Sequence, residues 1–156
     1  MMINSTAIQS TVFHVAFPVS NIPDTKAFYV DGLGCGLGRE NRHCVILNLG
    51  GNQLVAHVTQ EPLLPQKAIY PRHFGLIFSN EADWQALLDR SLAQGLKFRE
   101  TAKRRFPGLP LEHVTFFLED PFYNVLEFKY YVHPEAIFGS QNYEQIGDRD
   151  VVSGSV

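Results

Sequence analysis

The sequence lacks any long apolar run. No stretch approaches the roughly 20 consecutive apolar residues that a membrane-spanning helix needs. Residues 1–10 are polar and do not follow the charged-then-apolar order of a signal peptide. We therefore expect a cytoplasmic protein with no membrane partner.

Cysteine is scarce, and neither sign of charge dominates. Cys35 and Cys44 are the only two cysteines in 156 residues, and their spacing matches no paired metal-binding motif. We expect them to be reduced, packed thiols. The formal net charge of −3 provides no basic excess for nucleic acid, whereas a hydrophobic content of 45% is enough for a real core.

What the sequence does contain is a repeated order of predicted elements. β-Branched and aromatic residues favour a first strand, and Pro23 followed later by Gly34 marks the start and end of a helix. Three short strand-like runs follow, with Gly50-Gly51-Asn52 as a hairpin turn. The predicted strands are 12–19, 35–40, 43–49 and 53–58, and the proline-rich segment 59–71 is a predicted linker.

The same order then recurs. Asn80 is the predicted cap of a helix that ends at Gly95. Its predicted apolar stripe consists of Trp84, Leu87, Leu88 and Leu92. The strands around this helix are predicted at 72–78, 96–106, 113–119 and 124–132. The predicted fold class is α+β: two βαβββ modules forming a curved mixed sheet around one metal site. We expect a single domain over 10–133 (module 1 about 10–58, module 2 about 72–133) and a partly disordered tail over 134–156.

Four unusual residues, three histidines and one glutamate, fall on matched positions of this repeat. His14 and His73 occupy the first strand of each copy, and His57 and Glu127 occupy the last. Burying an unpaired carboxylate in a strand as apolar as the one around Glu127 costs several kcal/mol or more. A metal cation would offset this cost, so we predict that His14, His73 and Glu127 bind one divalent metal.

His57 and His113 have less certain predicted roles. His57 could be a fourth ligand, a packed residue or an acid/base group beside the metal, and we favour the acid/base role because imidazole titrates near neutral pH. His113 begins the third strand of the second copy and could line a substrate pocket or serve only the hairpin. His43 and His133 have no matched partner and are expected to be structural.

The segment 97–105 holds five basic residues in nine. Charge of this density protects an exposed sheet edge from aggregation, but it could instead clamp an anionic substrate group. Arg39, at the end of a strand in the first copy, could serve the same purpose. The long connection at 99–112 is a candidate lid, since unusually long connections are often functional.

Several of these residues resemble a known family. The paired βαβββ order, FYVDGLG after the first helix and DPFYNVLEF near the end resemble the vicinal oxygen chelate superfamily of glyoxalases, bleomycin-resistance proteins and extradiol dioxygenases. The resemblance covers 10–133 and makes Glu127, His14 and His73 metal ligands. Tyr123 stands where the family usually has Gly. The superfamily also implies a small-molecule substrate and favours a homodimer.

The resemblance implies a reaction as well. Extradiol enzymes hold Fe(II) with two His and one Glu beside another His, a scheme that His57 completes, so we favour Fe(II) over Zn, Ni or Mn and expect a ring-cleaving dioxygenase of a catechol-like substrate. Extradiol enzymes commonly carry a Tyr in the strand before the terminal Glu, and the corresponding strand here, HVTFFLE, has none. Phe117 in this strand is a candidate substrate contact. The alternatives are a glyoxalase-like lyase or isomerase with four protein ligands, and a non-enzymatic drug-binding protein.

Overall fold

The first half of the chain forms one four-stranded sheet with one helix. The computed structural model describes residue 8 and residues 10–147. The strand order in this sheet is β1-β4-β3-β2, with β1 parallel to β4 and the other pairs antiparallel. The elements are β1 (His14–Val19), α1 (Ile22–Lys26) continuing into a π-helical turn (Ala27–Gly32), β2 (Gly36–Glu40), β3 (Cys44–Leu49) and β4 (Asn52–Val58).

The second half repeats this arrangement. Its order is β5-β8-β7-β6, again with the first strand parallel to the last. The elements are β5 (Phe74–Phe78), α2 (Glu81–Ala93), β6 (Phe98–Arg105), β7 (His113–Glu119) and β8 (Val125–Tyr131), followed by a 3₁₀ turn (Pro134–Ile137). The predicted α+β fold with two βαβββ modules is thus confirmed. The tail expected to be partly disordered spans 134–156, and its residues 148–156 lie outside the described residues.

Each helix begins with an asparagine cap, and α2 begins and ends as the sequence predicts. The side chains of Asn21 and Asn80 accept hydrogen bonds from the backbone N–H groups of Asp24 and Asp83, at 2.7 and 2.9 Å. These contacts satisfy donors that lack a partner within the helix. Gly95 follows α2 with a φ of +65°, a conformation that glycine adopts without steric cost.

The apolar stripe predicted for α2 is wrong at one position. Trp84 and Leu88 are buried as expected, but Leu92 is 61% exposed and Ser91 is buried in its place. The neighbouring Arg90 donates to the carbonyl of Gly32 at 2.8 Å. The last turn of α2 therefore faces the first module through its Arg90–Ser91 side, which turns Leu92 outward.

The two modules share one core. Phe17 of β1 and Phe74 of β5 stack with ring centroids 5.3 Å apart, and buried residues from both sheets belong to the same cluster. Asn124, in the turn before β8, donates to the carbonyl of Pro18 at 2.9 Å. These contacts fix the first strand of one module against the first and last strands of the other. In the part of the chain described, no helix is both long and apolar enough to cross a membrane.

Candidate metal centre and the face around it

The second sheet has one apolar face and one polar face. Side chains alternate along a strand, so Val114, Phe116 and Leu118 of β7 point into the shared core. The alternate residues of β7, His113, Thr115 and Phe117, point to the opposite side of the sheet. We call this side of the second sheet the polar face.

Cross-strand register arranges the polar face in three rows. Phe117 lies opposite Glu127 in the first row. In the second row, Thr115 lies between Lys129 and Lys103. In the third row, His113 lies between Tyr131 and Arg105. Successive rows are two residues apart, so Glu127 and His113 stand roughly 13 Å apart along the strands.

His73 and Glu127 meet at the start of β5. The Nε2 atom of His73 lies 3.2 Å from Oε1 of Glu127, whose side chain is only 8% exposed. Gly75, which pairs with Glu127 in the parallel ladder, allows this close approach, because a Cβ there would collide with the Glu127 backbone. The contact joins two of the three residues predicted to bind metal.

The ring of His73 has a fixed orientation. Its Nδ1 lies 2.8 Å from the carbonyl oxygen of Ile69. A carbonyl only accepts, so Nδ1 carries a proton and donates it, and Nε2 is the atom presented to Glu127. The hydrogen bond to Glu127 is the main cause of a raised pKa for His73, partly opposed by burial.

Glu127 remains ionised despite its burial. Burial raises the pKa of this carboxyl, but the hydrogen bond from His73, the charge of Lys129 and the hydrogen bond from Thr115 together outweigh it and hold the pKa at about 2. Thr115 Oγ1 donates to Oε2 of Glu127 at 2.7 Å. Arg105 and Lys129 each place a cationic nitrogen 3.8 Å from the carboxylate.

His14 lies elsewhere. It is exposed on β1, and its Nδ1 is 2.8 Å from Oε1 of Gln53, which leaves Nε2 facing outward. Among the described residues, no three His, Cys, Asp or Glu side chains come close enough together to hold a metal ion. Among the described residues of one chain, His73 and Glu127 thus lie together, and His14 lies apart from them.

The strand pairings also change which residue of β4 corresponds to Glu127, and it is not His57. Val15 pairs with Leu54 as Phe74 pairs with Leu126, so if His14 corresponds to His73, the counterpart of Glu127 is Val55. His57 lies two residues further along β4, exposed and opposite Pro18. The alignment of His57 with Glu127 that the sequence suggested is therefore displaced by two residues.

The remaining predicted site residues are divided between the two sheets. Phe117 is fully buried below His73, with an edge-to-face ring contact at 5.1 Å, and His113 is 2% exposed on the polar face. Arg39 is exposed on β2, the outer strand of the first sheet. His113 and Phe117 thus share a face with Glu127, and Arg39 belongs to the other module.

The basic segment 97–105 is largely paired with carboxylates. Lys97 and Arg99 bind Glu119 at 2.6 and 2.8 Å, and Arg104 binds Glu112 at 2.6 Å. Arg105 alone among the arginines of this segment is buried, with its guanidinium 5.7 Å above the ring of Phe117. Lys103 and Arg105 lie 2.9 and 3.8 Å from Glu100, so the anionic clamp stays a prediction.

A groove opens beside His73. It has a volume of about 640 Å³ and lies between β1, the segment before β5 and the turn before β8. Pro18, Leu63 and Tyr123 contribute to its lining, together with His73 itself. A cavity of this size accommodates a small organic molecule.

Comparison with known proteins identifies the family. The model of the Glyoxalase/Bleomycin resistance protein/Dioxygenase superfamily matches residues 11–128. The chain belongs to this superfamily. A glyoxalase/bleomycin resistance protein/dioxygenase from Alicyclobacillus acidocaldarius is 37% identical, with a TM-score of 0.79 over 85% of this chain and 100% of that one. No curated protein sequence matches the chain.

More distant solved structures of the superfamily share the fold. A lactoylglutathione lyase from Agrobacterium tumefaciens is 20% identical, with a TM-score of 0.60 over 79% of this chain and 95% of that one. The fosfomycin resistance protein FosX from Listeria monocytogenes is 15% identical, with a TM-score of 0.63 over 83% of this chain and 99% of that one. These superfamily members have different activities, so the shared fold does not determine the reaction of this chain.

Sequence reasoning missed several residues around Glu127. Lys129 and Thr115 contact its carboxylate or lie within ion-pair distance of it, and Ile69 of the predicted linker orients His73. The alternation of side chains would have indicated Lys129, because it stands two residues after Glu127 on the same strand. No comparable signal exists for Ile69, whose carbonyl reaches His73 through the path of the linker.

Proposed function

We propose that this superfamily member is a metal-dependent enzyme that cleaves a small catechol-like ring with dioxygen. One observation supports the metal site above others: Nε2 of His73 faces the buried carboxylate of Glu127 while its Nδ1–H is held by a backbone carbonyl. A metal-binding histidine is commonly oriented in this way, because the second nitrogen fixes the tautomer.

The donor chemistry of His14 fits the same role. Its Nδ1 donates to the side-chain oxygen of Gln53, so its outward-facing Nε2 carries the lone pair. Two imidazoles and one carboxylate suit Fe(II), which we favour, and also Zn, Ni or Mn. A bound divalent ion would supply Lewis acidity toward two neighbouring substrate oxygens.

The third ligand is the part of the site that the described residues of one chain do not supply. His73 and Glu127 are in contact, but His14 does not join them among the described residues. We propose that His14 of a second copy completes each site in a homodimer. Two equivalent sites would then form across a twofold interface, each using the first module of one copy and the second module of the other.

The register favours three protein ligands over four. Glyoxalase-like lyases, the principal alternative, were expected to take a fourth ligand from the end of the first module. The counterpart of Glu127 there is Val55, which has no donor atom. Three ligands leave coordination positions for substrate and dioxygen, as in the ring-cleaving reaction.

His57 is the proposed acid/base residue. It follows Val55 on the same side of β4 and is exposed, so its imidazole can exchange protons with a bound molecule. We assign it the removal of a substrate hydroxyl proton and its return to the product. Metal binding by His57 would instead favour the lyase alternative. A protein that binds no metal at all would favour a non-enzymatic binding role.

Metal content tests the proposed ligands. Protein purified with Fe(II) under anaerobic conditions should hold about one ion per chain, and His14→Ala, His73→Ala and Glu127→Gln should each lose most of it, because each removes one of three donors. His133→Ala, which removes an exposed imidazole, is the matched control. If His14→Ala retained all of its metal, His14 could not be one of the ligands.

Mixing two inactive variants tests whether the site spans two copies. His14→Ala and Glu127→Gln each disable both sites of a homodimer, but a mixed dimer has one site with both defects and one with none. Unfolding and refolding the two together should therefore restore metal binding and activity to about a quarter of the wild-type level, since half the dimers are mixed. A mixture as inactive as its components would contradict the shared site.

Turnover tests the reaction. Fe(II)-loaded protein should consume dioxygen with a catechol and yield a ring-opened, strongly absorbing product in equal amounts. A panel of substituted catechols, followed by oxygen electrode and absorbance together, measures both. No turnover across the panel by protein shown to be metal-saturated would count against the dioxygenase assignment.

A further inference from the structure

Tyr123, which lines the groove beside His73, has a backbone conformation that a tyrosine rarely adopts. Its φ of +70° lies in the left-handed region, where the Cβ of any residue other than glycine crowds its own backbone. The turn imposes this angle, because Oδ1 of Asp120 accepts from the backbone N–H groups of Phe122 and Asn124, each at 2.8 Å. The chain therefore holds a bulky ring at a position where glycine would fit without strain.

The ring of Tyr123 does little for the core. The residue is 39% exposed and belongs to neither buried cluster of the described residues, whereas its neighbour Phe122 lies inside the shared core. Strained residues occur preferentially at binding sites, where the gain in binding outweighs the strain. Tyr123 contributes its surface to the groove instead, so the strain at this residue points to the groove as a binding site.

The walls of the groove are largely apolar. The linker contributes Pro62, Leu63, Leu64 and Pro71 to them. Leu64 is 76% exposed, so two large side chains, Leu64 and Tyr123, stand open to solvent in one groove. Apolar surface gathered in this way marks a binding site, and an aromatic side chain within it favours a ring as the ligand. A volume of about 640 Å³ admits two fused rings.

The charge in the groove has one sign. Among the described residues that line it there is no Asp or Glu, and Arg72 is the only side chain with a permanent charge. Arg72 is exposed, and Nε2 of Gln66 donates to its backbone carbonyl at 2.7 Å, which holds this residue beside the groove. A guanidinium at an apolar groove without carboxylates of its own is complementary to a carboxylate on the ligand.

We propose that the groove beside His73 binds a planar aromatic carboxylate, with its ring against Tyr123 and its carboxylate on Arg72. This inference rests on the proposed function only in naming the ligand as the substrate, because His73 belongs to the same lining. Binding through the ring and the carboxylate requires no metal. Tyr123 is then a specificity-determining residue, and its strained backbone supplies a ring contact that glycine could not.

Binding of four probes to chelator-treated full-length protein tests the groove. The probes are 2-naphthoate, its uncharged amide, benzoate and cyclohexanecarboxylate, measured by isothermal titration calorimetry. We expect 2-naphthoate to bind about fivefold more tightly than the amide, the difference that one exposed ion pair supplies. Benzoate should bind about threefold more tightly than cyclohexanecarboxylate, because only benzoate offers an aromatic face.

Two outcomes of the probe series would overturn the proposal. An amide that binds as tightly as 2-naphthoate would exclude the carboxylate contact. If none of the four probes binds, the groove does not take an aromatic carboxylate, and a second copy of the chain becomes the group that covers it.

Arg72→Gln tests the carboxylate contact. This variant should lose the preference for 2-naphthoate over its amide, because the guanidinium is the cation that distinguishes them. Arg42→Gln, which removes a charge from an exposed loop of the first module, is the matched control and should keep the wild-type preference. An undiminished preference in Arg72→Gln would contradict the contact.

Three variants of Tyr123 separate its ring from its backbone. Tyr123→Phe keeps the ring and should bind 2-naphthoate as the wild type does, whereas Tyr123→Ala and Tyr123→Gly should bind it about fivefold more weakly. Tyr123→Gly should nevertheless unfold at a higher urea concentration than Tyr123→Ala, because only glycine relieves the strain at a φ of +70°. Wild-type affinity in Tyr123→Ala would contradict the ring contact, and equal midpoints for the two variants would contradict the strain.

NMR of the histidine rings locates the ligand. In protein labelled with ¹³C-histidine, the ring current of bound 2-naphthoate should shift the ring resonances of His73 and leave those of His43, on the first module, unmoved. Resonances of His73 that stay in place at saturation would put the ligand elsewhere and overturn the proposal. None of these measurements requires metal, so their failure would leave the metal-content and mixing results standing, and the converse also holds.

Discussion

Tyr29 and Asp120 form a buried hydrogen bond that joins the two modules. The hydroxyl of Tyr29 donates to Oδ2 of Asp120 at 2.7 Å, and both residues are at most 2% exposed. Burial is the main cause of the raised pKa of Tyr29. Asp120 also accepts from the backbone N–H of Asn124 at 2.8 Å, so the bond anchors the turn before β8 and, through it, the strand that carries Glu127.

We expect Tyr29→Phe to destabilise the protein by about 1–3 kcal/mol, because Asp120 loses a donor where no solvent can replace it. Urea unfolding monitored by circular dichroism measures the change in the free energy of unfolding. Tyr123→Phe, which removes the same hydroxyl from a ring that is 39% exposed, is the control and should cost less than about 0.5 kcal/mol. Similar losses in both variants would show that the buried bond contributes nothing specific.

Gly75→Ala should damage the site through the backbone. A Cβ at Gly75 would collide with the Glu127 carbonyl, so β5 and β8 must separate locally. We expect a loss of about 1–3 kcal/mol in the free energy of unfolding, as for other overpacked positions, together with weaker metal binding. In Gly36→Ala the new Cβ meets only the Cβ of Asn48 at 3.3 Å, which makes it the matched control. Wild-type stability in Gly75→Ala would contradict the close approach of the strands.

The elements could be predicted from sequence because each depends on neighbouring residues. Alternation in HVTFFLE and the turn glycines Gly50 and Gly51 are local signals, and the strand β7 and the turn before β4 lie where they predict. The error at Leu92 has a different origin. Which side of α2 faces the first module depends on the reach of Arg90 to Gly32, a contact across 58 residues.

The candidate site was only partly predictable for the same reason. His73 and Glu127 could be paired by the repeat, but the alignment of His57 with Glu127 assumed a strand register that the sequence does not reveal. A register displaced by two residues keeps the same face, so hydrophobic alternation could not detect the error. Bulges in β6 likewise decide which basic residue of 97–105 faces the site, and they leave Arg105 opposite His113.

His57→Ala separates the two enzyme alternatives. If His57 moves protons and binds no metal, the variant should retain wild-type metal content while kcat falls by about 10²–10⁴-fold, the usual contribution of general acid/base catalysis. Metal analysis and oxygen uptake on one preparation give both values, with His43→Ala as the control for losing an exposed imidazole. Loss of metal together with activity would favour a fourth ligand and the lyase alternative.

The buried His113 should make stability depend on pH. Its pKa lies below the ordinary value of 6.5 in the folded protein, so the unfolded chain binds the proton more tightly. As pH falls from 7 to 5, protonation therefore favours the unfolded state at this residue, and its contribution to the free energy of unfolding decreases. The charged groups nearest to this ring on the neighbouring strands are Arg105 on β6 and Lys129 on β8; Glu127, also on β8, opposes them.

We accordingly expect the free energy of unfolding of the metal-free wild type to fall more between pH 7 and pH 5 than that of His113→Gln, whose side chain does not titrate. Other groups that titrate in this range, His73 among them, are present in both proteins and cancel in the comparison. His43→Gln removes an exposed imidazole instead and should leave the wild-type slope in place. Parallel curves for the wild type and His113→Gln would mean that His113 is protonated as readily in the folded chain as in the unfolded one, and that its burial does not lower its pKa.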